Sequence, residues 1–156
     1  MSSPDRIIAE ARRWLGTPYQ HQASLCGVGA DCLGLVRGLY RALYGYEPET
    51  PPAYARAARC GEREELQIAA LRHLVRVNNT EIGDIEAGCV LLFRMRRSLP
   101  ARHLAIYLGN GSILHAMSGV GVCEIDFTQW WQSRCVGVFA FPEKMPQKII
   151  SEKPNE

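Results

Sequence analysis

Cysteine and histidine are the side chains here that could form and discharge a covalent acyl intermediate near neutral pH. The sequence has six cysteines (Cys26, Cys32, Cys60, Cys89, Cys123, Cys135) and four histidines (His21, His73, His103, His115). Cys32 stands out by position. It follows Asp31, a helix-capping residue type, and precedes Leu35, Val36, Leu39, Tyr40 and Leu43, which recur at helical spacing. A thiol at that helix entrance meets unpaired backbone N–H groups and the positive end of the helix dipole, which favour the thiolate and lower its pKa. The same N–H groups suit an oxyanion. An inert cysteine buried in a helix would show the same pattern, so position alone does not decide.

A thiol nucleophile needs a base. His73 reads as a mid-helix boundary residue, and His21 falls in the loop before Cys32, where it lines a cleft or holds the loop. His103 and His115 lie on neighbouring strands across Gly109-Asn110-Gly111, an arrangement that suits a base and the group orienting it. Register tests the idea. A two-residue loop at Asn110-Gly111 pairs Gly109 with Ser112 and turns the histidines to opposite faces. A three-residue loop, or a bulge of equal effect, sets His115 opposite Ala105. It is then one diagonal step from His103, about 7–8 Å between backbones. Gly111 in a left-handed conformation would supply that geometry.

The elements that must carry these residues can be read along the chain. Ser3-Pro4 caps a first helix, with Ile7, Ile8, Ala11, Trp14 and Leu15 at helical spacing and Gly16 as its stop. A loop over 17–30 leads to the Asp31 cap, and the second helix ends at Gly45. Gly34 and Gly38 lie inside it and predict something packed closely on that face. Residues 47–60 hold three prolines and read as a surface connector. A third helix is predicted over Glu62–Val77, with Leu66, Ala69, Ala70, His73, Leu74 and Val77 as its apolar stripe. The period then changes to strands over Cys89–Met95, His103–Leu108, Ser112–Met117, Val122–Ile125 and Val136–Phe141. A short helix at Thr128–Ser133 carries Trp130 and Trp131. Helices followed by antiparallel strands predict an α+β fold, one domain over 1–142, and a polar tail over 143–156.

The bulk properties narrow the function classes. Hydrophobic residues make up 47% and charged residues 22% of 156, as in an ordinary globular domain. A net charge of +2 gives no argument for nucleic acid. No apolar run is long enough for a membrane span. The start MSSPDRIIAEARRW has no apolar stretch of signal-peptide type, so synthesis in the cytoplasm and reduced thiols, several buried, are expected. No cysteine or histidine spacing fits a metal site.

Taken together, the residues resemble the NlpC/P60 family of papain-like cysteine peptidases. The resemblance is carried by Trp14-Leu15-Gly16-Thr17-Pro18-Tyr19, by Asp31-Cys32-Leu33-Gly34-Leu35-Val36, by His103-Leu104-Ala105-Ile106-Tyr107-Leu108-Gly109-Asn110-Gly111, and by Leu114-His115-Ala116. The stretch YQHQASLCGVGADCLGLVRGLY, with Trp130-Trp131, is similar to cell-wall peptidases encoded with phage tails and gene transfer agents. The resemblance implies helices packed on a mainly antiparallel sheet of five to six strands. It implies Cys32 as nucleophile, His103 as base and His115 as orienter, with no metal or organic cofactor. It implies that Tyr19 and Asp31 shape a substrate subsite, where Asp31 could pair with the free amine of a trimmed stem peptide. The implied substrate is the peptidoglycan stem peptide at its γ-D-glutamyl-diaminopimelate bond. The implied partners are phage-like tail-tip or hub proteins, with neither nucleic acid nor membrane, and the implied place of action is the periplasmic wall, reached by particle delivery. Relatives often carry serine after the cysteine; Leu33 stands there instead. The cluster Arg94, Arg96, Arg97 and Arg102 reads as a solvated loop or docking face before a substrate site. Two other readings stay open: a tail-tip protein with little chemistry, and a thiol-dependent amidase or acyltransferase on another amide.

Overall fold

The computed structural model describes residues 3–78 and 81–143, so the polar tail over 144–156 lies outside the described residues. The Ser-Pro pair opens α1 (Pro4–Arg12), where Ser3 Oγ accepts the Arg6 N–H at 3.3 Å. Trp14 is buried in the turn beyond α1, whereas Leu15 stays 42% exposed, so the helix is shorter than the apolar spacing predicts. The predicted loop contains a small ribbon, β1 (Ser24–Leu25) with β2 (Gly29–Ala30). α2 (Cys32–Tyr44) then runs through the core and buries Leu35, Val36, Leu39, Tyr40 and Leu43. Its two glycines meet the close packing expected of them. A methyl at Gly34 would lie 1.8 Å from the Ala23 carbonyl oxygen, and one at Gly38 2.1 Å from the Trp14 ring.

α3 (Glu65–His73) stops short of its predicted end at Val77. Leu74 is extended, and Val75–Arg76 form β3 against Phe139 and Ala140. The available sheet edge, with a further bond from Val77 N–H to Val138 O, outcompetes one more helical turn. The remaining strands are β4 (Val90–Phe93), β5 (His103–Gly109), β6 (Ser112–Met117), β7 (Gly121–Asp126) and β8 (Cys135–Ala140), with α4 (Gln129–Gln132) before β8. Their order is β3-β8-β4-β5-β6-β7, and every neighbouring pair is antiparallel.

The sheet has a core on each side. α1 and α2 cover one face, where Leu35 and Leu39 join Val90, Leu92, Leu104, Ile106 and Leu114. The other face holds Leu91, Phe93, Ala105, Ile113 and Phe127, with Trp131 packed against them. β4 is buried on both sides, which accounts for its unbroken Val-Leu-Leu-Phe run. The α2 entrance meets the start of β5, and the cleft lies there.

Candidate active site

The helix wall of the cleft is organised by Asp31. As N-cap of α2 it accepts the Gly34 N–H on Oδ1 at 2.7 Å. Its Oδ2 accepts the Gln22 N–H at 2.8 Å and the hydroxyl of Tyr54. His21 Nδ1 lies 3.9 Å from the same oxygen, and His21 Nε2 is 2.7 Å from the Tyr54 carbonyl. Buried at 3% exposure, the carboxylate holds three donors. Tyr19 stands beside it, fixed by a bridge to Ala30 through Gln20 N–H to Ala30 O and Ala30 N–H to Pro18 O. Cys32 follows Asp31. Its thiol donates to the Arg102 carbonyl at 3.7 Å and lies against the Leu104 N–H, so the sulfur touches the backbone on both sides of His103.

The sheet wall depends on the hairpin register. Gly109 does pair with Ser112 across the two-residue Asn110-Gly111 turn, with both turn residues at positive φ. Beyond the turn the register shifts: Tyr107 pairs with Ile113 and Ile106 with Leu114, so Leu108 is the extra residue of a bulge. Gly109, at φ 80°, takes the left-handed conformation this needs, not Gly111 alone. The bulge has the effect of a three-residue loop. His103 and His115 share the face away from α2, and His103 Nε2 lies 2.8 Å from His115 Nδ1. That bond leaves His103 Nδ1 outside the pair.

Aromatic rings enclose the two imidazoles. Trp131 lies 5.5 Å from the His103 ring in a tilted arrangement, and 5.2 Å from the His115 ring at 90°. Phe93 packs on both His103 and Trp131. His115 Nε2 is buried and has no hydrogen-bond partner among the described residues.

Burial governs the charge states. It pushes the Cys32 thiol up to about 11, helped by the Asp31 carboxylate and opposed by the N–H groups of Leu104, Leu33 and Cys32 itself. The expected lowering at the helix entrance is therefore not met: enclosure of the sulfur outweighs the terminal N–H groups. Burial, then the charge of His115, holds His103 down to about 3, and burial holds His115 down to about 4. The resting pair is a neutral thiol and a neutral imidazole.

Two residues at the site were missed in the sequence. Tyr54 comes from the proline-rich connector, which gives no periodic signal. Trp131 was placed on a short helix with no hint that it would reach the histidines; its aromatic type beside Trp130 was the only cue. His21 both lines the cleft and holds the connector, and His73 is bonded to Glu49 at 2.7 Å. Half of the arginine cluster is structural: Arg94 pairs with Glu64, and Arg102 pairs with Glu62 and bonds Ala55 O. Arg96 and Arg97 are exposed. Among the described residues all six cysteines are free, and Cys89 is the one that is fully buried. A cavity of about 470 Å³ opens beside Cys32, between α2, α3 and the connector.

The model of the NlpC/P60 family matches residues 16–140. The chain belongs to this family. A relative in Escherichia coli strain K12, the murein DD-endopeptidase MepS/murein LD-carboxypeptidase, is 28% identical over 131 residues. That match spans 83% of this chain and 58% of the relative, so the chain spans a little over half the length of the curated relative it matches. The fold recurs in the NlpC/p60 domain of the peptidoglycan hydrolase SagA, at TM-score 0.64 and 21% identity over 90% of this chain and all of that one. It recurs in NlpC2 of Trichomonas vaginalis, at TM-score 0.63 and 22% identity over 88% of this chain and 46% of that one. The α+β architecture with its antiparallel sheet is thus that of NlpC/P60 domains.

Proposed function

We propose that this protein is a cysteine endopeptidase of peptidoglycan stem peptides, with Cys32 as nucleophile, His103 as general base and His115 as orienter. The observation that carries the reading is the seating of the Cys32 sulfur against residues 102 and 104 while His103 Nε2 bonds His115 Nδ1 at 2.8 Å. With Nε2 donating to His115, the His103 imidazole keeps Nδ1 outside the pair, and we assign that nitrogen the thiol proton of Cys32, whose sulfur sits against the backbone on both sides of residue 103. The Cys32 sulfur then attacks the amide carbonyl, and the Cys32 and Leu33 N–H groups at the start of α2 stabilise the developing oxyanion. The His103 imidazolium returns its proton to the leaving amine, and water attacks the thioester with His103 again as base. Tyr19 and Asp31 shape the neighbouring substrate subsite, Asp31 through its hold on Tyr54.

Murein as substrate is supported by the family and by the murein peptidase activities for which the Escherichia coli relative is named. The bond we assign is γ-D-glutamyl-diaminopimelate. We also assign the protein to a phage-like tail or gene transfer agent, on the stretch around Cys32 and the Trp130-Trp131 pair, with tail-tip or hub proteins as partners. The test is digestion of purified sacculi by wild type and Cys32→Ala, with mass spectrometry of the released muropeptides. New γ-D-glutamyl and diaminopimelate termini from wild type alone are expected. Equal release by both proteins overturns the thiol mechanism, and a different new terminus overturns the bond. For the particle role, an antibody to this chain should label purified particle tails; a particle-free distribution overturns it.

A further inference from the structure

We propose that the cavity beside Cys32 receives an uncharged, apolar group of the substrate, with Tyr54 occupying the place on Asp31 that an ammonium would need. The inference rests on reading Cys32 as the nucleophile, since it concerns what is held next to that sulfur.

Three observations carry it. The first is continuity: Cys32, Leu33 and Leu104 are part of the cavity wall, so a group bound there is attached close to the reacting bond. The second is the lining. Leu33, Val36 and Tyr40 lie along α2 at helical spacing, and Leu66 and Ala69 face them from α3. From residue 33 to residue 40 the helix rises about 10 Å, the length of a short acyl chain or an extended side chain. An open cleft of about 470 Å³ with an aliphatic lining has the size and character of a ligand site.

The third is charge. Each carboxylate in the wall already has donors. Asp31 holds Gly34, Gln22 and Tyr54; Glu49 holds Arg72 and His73; Glu62 holds Arg102; and Glu65 faces Arg63 at 3.7 Å. Arg56, at the rim, is a lining cation with no hydrogen bond or ion pair among the described residues. An ammonium coming to Asp31 would have to displace the Tyr54 hydroxyl and would face the unpaired charge of Arg56. An acylated amine meets neither obstacle, and a nearby substrate carboxylate would be welcomed at Arg56. Tyr54 is kept in place by its connector: its N–H donates to Gln22 Oε1, its carbonyl bonds His21, and Arg102 holds the next carbonyl. The favoured substrate is therefore a stem peptide whose first amine is acylated, not one trimmed to a free terminus.

The test uses L-alanyl-γ-D-glutamyl-diaminopimelate with a free amino terminus, N-acetylated, or N-hexanoylated. Affinity is read by titration calorimetry on the Cys32→Ala protein, and kcat/KM on wild type. Affinity should rise from free amine to acetyl, and by roughly tenfold more from acetyl to hexanoyl. Ala69→Trp, or Leu66→Trp should the first fail to fold by circular dichroism, should remove the difference between acetyl and hexanoyl. Tyr54→Ala, which opens Asp31, should shift the preference toward the free amine. Tightest binding of the free amine by the Cys32→Ala protein, equal affinity for acetyl and hexanoyl, or no binding of any peptide overturns the proposal. Absence of cleavage by wild type with the affinity order intact would instead overturn the reading of Cys32 as nucleophile.

Discussion

On the sheet side of the cleft, His103 and His115 are held ring against ring among Phe93 and Trp131, with a single hydrogen bond between them. On the helix side, Asp31 gathers hydrogen bonds from α2, the preceding loop and the connector, and Cys32 beside it lies next to an open cavity. The first wall is closely packed, which fixes the two imidazoles relative to each other. The second is polar, adjustable and partly empty, which suits the binding of a substrate. The imidazoles are held by packing and the helix wall by hydrogen-bond partners, so substitutions on the two sides should fail in different ways.

The largest effect should come from the sheet side. His103→Ala should lower kcat/KM by on the order of 10³-fold with the fold intact, read by stem-peptide cleavage and circular dichroism. Retained activity would mean that the packed pair is no base at all. Trp131→Ala should lower kcat about tenfold while leaving KM nearly unchanged, because the ring positions His103 without touching substrate. It should also cost about 2 kcal/mol in urea unfolding, less than a fully buried tryptophan because Trp131 is half-buried. A KM effect of the same size would move Trp131 to the substrate wall. On the helix side, Tyr54→Phe removes one of three donors to a buried carboxylate and should cost about 1 kcal/mol in urea, with the change in kcat/KM residing mainly in KM. A kcat effect as large as that of Trp131→Ala would erase the contrast between the walls.

A further expected effect is one of pH. Both imidazoles titrate below their ordinary value when folded, His103 near 3 and His115 near 4. As pH falls below about 6.5, the unfolded chain takes up protons that the folded one refuses. Their contribution is thus fully present above pH 6.5 and declines toward pH 4. Urea midpoints at pH 7 and pH 5 should differ less in His115→Gln than in wild type. An unchanged difference would mean that the imidazoles are not buried as neutral groups.

The sequence reveals these two walls unequally. Cys32, Asp31 and the α2 stripe are legible because capping and helical spacing leave local traces, and so are the strands that carry His103 and His115. The bulge was foreseen as a requirement, but its seat at Leu108–Gly109 depends on pairing between strands. The end of α3 was misjudged because the competing sheet edge is supplied by β8, some 65 residues away. The thiol was expected to be acidic because the helix entrance is visible in sequence, whereas the enclosure that overrides it is not. Tyr54 left no trace, since a connector side chain that completes a site obeys no period.

Leu108 has no chemical part to play, yet the whole constellation answers to it. Because it is a supernumerary position, the tally of residues between the two imidazoles, and not their identity, decides whether they can meet. Replacing the buried Leu108 would cost packing, but losing its codon would keep both histidines in the gene and turn them to opposite faces. Relatives of this protein are therefore best screened by spacing as well as by letters, and a homologue one residue shorter here is a candidate for a retired catalyst.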